Sequence, residues 1–173
     1  MKRIALALLL LLIAPAPFAQ ALDSAEWWNY EGSRDGHPYA VRLDMGLRRI
    51  FPVSGFPYVV VTGVAYPSGR ADGLPDLDDQ NRLDGISEAL AAAIARKTRS
   101  IYAGTAAGGR EQRNYIYVSD PNGLEELIAG IYARLCRGCK TSTQIRADAA
   151  WTVYRDFLFP DEETRRRYGL RAY

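Results

Sequence analysis

The stretch IYAGTAAGGREQRNYIYVS, Ile101 to Ser119, decides how this chain folds. Two extended runs, Ile101–Ala107 and Arg110–Ser119, are joined by Gly108-Gly109. Both glycines can adopt positive φ, which a tight connection between antiparallel strands requires, so the spacing predicts a hairpin. Upstream, Gln80–Lys97 sets Leu83, Ile86, Leu90 and Ile94 on one face at helical spacing, behind a cap from Asp78 or Asp79. Before it, Tyr58–Thr62 is apolar on both faces and reads as a strand in the middle of a sheet. Downstream, Asp120-Pro121-Asn122-Gly123 breaks the chain ahead of a second helix, Leu124–Leu135, striped by Leu124, Leu127, Ile128, Ile131 and Leu135. A strand over Thr141–Ala147 follows.

From Tyr58 the order is therefore β-α-β-β-α-β. This predicts an α+β fold, a ferredoxin-like split βαβ antiparallel sheet with both helices on one face and the other face open. An extra N-terminal strand comes from Tyr39, Val41, Leu43 and Met45, which alternate with Ala40, Arg42 and Asp44. The tail from Asp161 to Tyr168 predicts a C-terminal helix.

The 173 residues are 48% hydrophobic and 24% charged, values of an ordinary globular domain that exclude collagen-like and strongly disordered classes. The net charge of +2 comes from Lys2 and Arg3, and the remainder balances. A neutral domain exerts no bulk pull on nucleic acid or anionic lipid. At the N-terminus, Lys2-Arg3, the apolar run Ile4–Ala14 and Ala19-Gln20-Ala21 follow the order of a cleavable signal peptide. The run is far shorter than the ~20 residues a bilayer span needs. The expectation is a signal peptide over residues 1–21 and one domain over 22–173, exported to the periplasm or secreted, with no membrane insertion after cleavage.

Trp27–Tyr30, Gly73-Leu74-Pro75, Gly108-Gly109-Arg110-Glu111 and Tyr115-Ile116-Tyr117 combine with a closing pattern of Asp148, Trp151, Tyr154 and Phe157–Pro160. In these elements the chain resembles the domain of unknown function 695 family, grouped with the ribonuclease E inhibitor B superfamily. The likeness spans roughly Ala25 to Glu163. It implies a ferredoxin-like fold and no established activity. The inhibitor branch is cytoplasmic, and this chain departs from it in its leader and its neutral charge.

Few residues are equipped for chemistry. Cys136-Arg137-Gly138-Cys139 is the only cysteine pair. Two thiols at this spacing on a last helical turn fall within bridging range, and an oxidising compartment favours a disulfide. A redox centre needs a helix N-terminus to stabilise its thiolate, whereas this pair follows a helix. His37, the sole histidine, sits after the Asp35-Gly36 turn and has no G-x-S-x-G partner. Asp72, Asp76, Asp78, Asp79 and Asp84 invite a calcium reading, but Asn81 and Ser87 occupy the positions where an EF-hand needs Gly and Glu. These readings point to no catalytic residue, no metal and no cofactor.

The sequence therefore predicts a non-catalytic module that works by binding a protein, an inhibitor or immunity-type factor being the most concrete form. Its surface is expected on the open sheet face and adjoining loops, from Trp27, Trp28, Arg110, Glu111, Arg113, Tyr115 and Tyr117, because Trp, Tyr and Arg are favoured interface anchors. The alternatives are a small periplasmic enzyme of thiol-redox or hydrolytic type, or a small-ligand-binding domain.

Overall fold

The predicted hairpin forms one residue later than its glycines suggest. In the computed structural model, which describes residues 25–34 and 36–169, β4 (Ser100–Gly108) and β5 (Glu111–Val118) are joined by Gly109 at φ 59° and Arg110 at φ 64°. Positive φ at both positions belongs to the turn whose twist matches that of the strands. Arg110 tolerates it because its backbone is held: its N–H donates to the Gly73 carbonyl and its own carbonyl accepts from Tyr66.

Four further strands complete one antiparallel sheet: β1 (Trp27–Arg34), β2 (His37–Asp44), β3 (Tyr58–Ala65) and β6 (Thr141–Ala147). The order is β1-β2-β4-β5-β3-β6, with β1 and β6 at the edges. The helices are α1 (Leu77–Lys97), α2 (Leu124–Leu135) and the short α3 (Glu162–Arg167). The fold is α+β, and the expected β-α-β-β-α-β run is present from β3 to β6. No described helix is long and apolar enough to cross a membrane. The expected signal peptide, residues 1–21, lies outside the described residues.

Three expectations need correction. Trp27–Arg34, where the sequence reading places no strand, is a full strand that extends the sheet by a second N-terminal hairpin with β2. Helix α1 starts at Leu77, because Asp76 rather than Asp78 or Asp79 is its N-cap: its side chain accepts from Asp79 N–H at 2.9 Å. The second sheet face is also not open.

The sheet separates two apolar cores. On one face, Val60, Val64, Ile116 and Val118 meet Leu83, Ile86, Leu90 and Ile94 of α1 and Leu124, Ile128 and Ile131 of α2. On the other, Tyr30, Val41, Leu43, Val59, Tyr115 and Tyr117 are covered by Trp151, Tyr154 and Leu158. Those last three belong to an irregular segment that folds back across the strands and contains a π-helical turn over Tyr154–Leu158.

That segment is held by specific bonds. Asp148 accepts from the Tyr117 hydroxyl at 2.7 Å, from Thr152 N–H and Oγ1, and from Val153 N–H. Trp151 Nε1 donates to the Phe56 carbonyl, Tyr154 to the Asp44 carbonyl and Tyr30 to the Leu158 carbonyl. Every buried phenol and indole N–H in this set thus has its partner, as burial demands.

Candidate functional site

On the helix side of the sheet, one line of residues is polar from edge to edge. Asn29, Arg42, Thr105, Asn114, Thr62 and Thr143 are direct cross-strand partners through all six strands. At its buried end, Thr62 Oγ1 bonds the Tyr132 hydroxyl at 2.9 Å and Thr143 Oγ1 at 3.0 Å. Asn114, fully buried, accepts from the Tyr102 hydroxyl at 2.9 Å.

The other end of the line opens into a cleft of about 580 Å³. Helices α1 and α2 do not reach β1 and β2, so these strands and β4 form its floor, with Asn29, Arg42 and Thr105 on it. Its wall is the 67–76 loop and the first turns of α1. The loop is rigidified by Ser68, whose N–H donates to the Asp79 carboxylate and whose hydroxyl donates to the Leu74 carbonyl, and by the Tyr66 hydroxyl, which donates to the Gly73 carbonyl. Tyr168 closes one end, its hydroxyl accepting from the Glu31 N–H at 3.1 Å.

The charges of the cleft are unevenly satisfied. Arg70 is bound to Asp72, whose carboxyl that guanidinium pulls down to about 2. Among the described residues, Glu31, Asp84 and Arg42 form no ion pair. Arg42 instead lies over the Trp27 ring, 4.9 Å from its centroid, and Trp27 in turn tilts against Tyr102. Buried Gln112 donates Nε2 to Ser87 Oγ at 3.0 Å, which leaves its carbonyl oxygen to the cleft.

A second cleft, about 460 Å³, lies on the opposite face at the hairpin tips, lined by Arg34, His37, Glu111, Arg113 and Phe157 among others. Here Arg113 donates to Glu111 at 2.6 Å, and Arg34, like Arg42 in the first cleft, lies over a ring, that of Phe157.

The predicted surface residues are therefore divided. Trp27 borders the first cleft and Glu111, Arg113 and Tyr115 the second, on opposite faces of the sheet. Arg110 stands exposed at the turn between them, and Trp28 is half-buried with its indole on Glu26. Tyr115 and Tyr117 are only 3% and 0% exposed, so they pack the core and offer a partner nothing. Burial pushes both phenols up, Tyr117 further through its bond to Asp148. Cys136 and Cys139 stand at disulfide distance at the end of α2, their α-carbons 5.5 Å apart. Of the acidic loop, Asp76 caps α1, Asp79 holds Ser68 and Arg82, and Asp72 holds Arg70.

A model for a family of unknown function, DUF695, matches residues 25–159. The chain belongs to this family. No curated protein and no solved structure matches it. The span of the DUF695 match runs from the foot of β1 through the π-helical turn, so it includes both cleft-floor strands and the segment closing the second face. Asp148, Trp151 and Tyr154, which carried the likeness in the sequence, each make a bond that closes the fold. The cleft residues Glu31 and Arg42 escaped sequence reading as a site, and Asp84 was read only within the acidic cluster, because only strand register and the reach of α1 bring the three together.

Proposed function

We propose that this DUF695 chain is an exported, non-catalytic binding module that holds its ligand in the cleft above β1, β2 and β4. The observation carrying this reading is the cleft itself: a concave, walled site whose charged side chains Glu31, Arg42 and Asp84 make no ion pair among the described residues. Among the described residues, the lining has no imidazole or thiol to act as base or nucleophile. Export follows from the leader over residues 1–21, and in that compartment Cys136 and Cys139 form a staple at the end of α2. The β3–β6 core is read as a ferredoxin-like split βαβ, a reading supported by its sheet order β4-β5-β3-β6.

A protein partner of the inhibitor or immunity type is the second reading. It is favoured by the edge strand β6, which among the described strands pairs only with β3 and is largely exposed.

Native mass spectrometry of the chain recovered from its host tests these readings together. The expected result is a polypeptide beginning at Leu22 that retains a small molecule, and loses it on Trp27→Ala. A chain that retains no small molecule but a stoichiometric protein would replace the ligand reading with the inhibitor one. A product still carrying residues 1–21 would end the export reading.

A further inference from the structure

The unpaired charges of the cleft have opposite signs, and they are separated. Arg42 faces Asn29 across the β1–β2 pair, whereas Glu31 lies one step along the same face, diagonal to it. Diagonal neighbours of this kind are about 7–8 Å apart, within reach of long side chains, yet no ion pair forms. Arg42 is turned onto the Trp27 ring, and Glu31 is fixed by its backbone, whose N–H donates to the Tyr168 hydroxyl and whose carbonyl accepts from Arg167. Asp84 adds a second free carboxylate from α1, and Gln112 presents its carbonyl oxygen from the floor. One end of the cleft thus offers a guanidinium lying over an indole, and the rest offers three acceptors.

We propose, resting on the cleft reading above, that the ligand is a zwitterion of amino-acid or short-peptide type. Its carboxylate binds Arg42, whose planar fork matches two carboxylate oxygens. Its ammonium binds Glu31, Asp84 and the Gln112 carbonyl. Trp27 supplies apolar contact for the side chain between them. A purely anionic ligand is repelled by Glu31 and Asp84, and a purely cationic one leaves Arg42 unanswered.

The test is binding to the full chain, followed by NMR at the Trp27 indole, of four free dipeptides: Ala-Ala, Ala-Phe, Ala-Lys and Ala-Glu. Each is compared with its N-acetylated form, its C-terminal amide and its doubly capped form, and cellobiose serves as an uncharged polar probe. At least one free dipeptide should bind, and blocking either end should weaken it about tenfold or more, the weight of a charge-assisted hydrogen bond. Arg42→Gln should abolish the preference for a free carboxylate alone, and Glu31→Gln with Asp84→Asn the preference for a free amine alone. Glu31 and Arg42 are exposed and Asp84 is half-buried, and an unchanged thermal midpoint in each variant checks that the fold is intact.

Binding of a doubly capped dipeptide or of cellobiose, with no preference for free ends, would overturn the zwitterion and keep the cleft as a site. No change at Trp27 with any probe would overturn both.

Discussion

Tyr117 and Trp151 lie face to face, ring centroids 3.7 Å apart and planes 7° from parallel. One comes from the C-terminal end of β5, the other from the irregular segment that covers it. Trp151 also sits at φ 55°, a conformation that non-glycine residues rarely hold. The stack, the indole bond to Phe56 and complete burial together keep it there. Trp151→Ala removes all three and leaves a large cavity, and it should cost about 3–5 kcal/mol in urea unfolding. Trp151→Phe should cost less, since the ring contact survives.

Acid should loosen the same closure. Burial pushes the Asp148 carboxyl up, but hydrogen bonds from Val153, Thr152 and Tyr117 outweigh it and hold the group below the ordinary aspartate value. A depressed carboxylate stabilises the fold above the unfolded-state pKa of about 3.9 and loses that contribution as the pH falls through the lower folded value. Asp148→Asn should therefore be less stable at pH 7, by about 1–3 kcal/mol. Its urea midpoint should also fall less steeply than the wild type's below a pH of about 4. Parallel curves for the two proteins would show that Asp148 is not the titrating group.

The N-terminal hairpin hangs on one glycine. At the irregularity in β4 between Tyr102 and Gly104, Gly104 has φ 152° and pairs with Leu43 on one side and Tyr115 on the other. A Cβ there would collide with the Arg42 carbonyl oxygen and stand 2.9 Å from Leu43 Cα, both backbone atoms of β2. Gly104→Ala should separate β2 from β4 and cost at least roughly 1–3 kcal/mol. Hydrogen exchange should show lost protection in β1 and β2, with α1 and α2 retained, and the cleft should lose its floor.

The readable parts of this fold were those with local signals. Leu83, Ile86, Leu90 and Ile94 announce α1 by spacing alone, and Tyr58–Thr62 announces β3 by being apolar on both faces. Strand β1 had no such signal: Trp27, Trp28 and Tyr30 put bulky rings on both faces of an edge strand, and the alternation that marks a half-buried strand is lost. The covering segment was hidden for another reason. Trp151, Tyr154 and Leu158 follow neither a helical nor a strand period, because a π-helical turn and one positive φ set their directions. With that cover unseen, Tyr115 and Tyr117 read as a surface. The cleft was least visible, since it exists only where two strands outrun the helices.

The line of polar residues that crosses the sheet also governs which alignment of strands is allowed. A period of two fixes which face a residue takes, but by itself tolerates a slip of two residues. Sliding β3 by two against β5 would set Thr62 opposite Ile116 or Gln112 instead of Asn114, away from Tyr132 and Thr143. A buried hydroxyl left without a partner costs about 1–3 kcal/mol, enough to empty such an alternative. The buried polar atoms thus select a single registry among those that the apolar pattern leaves equal.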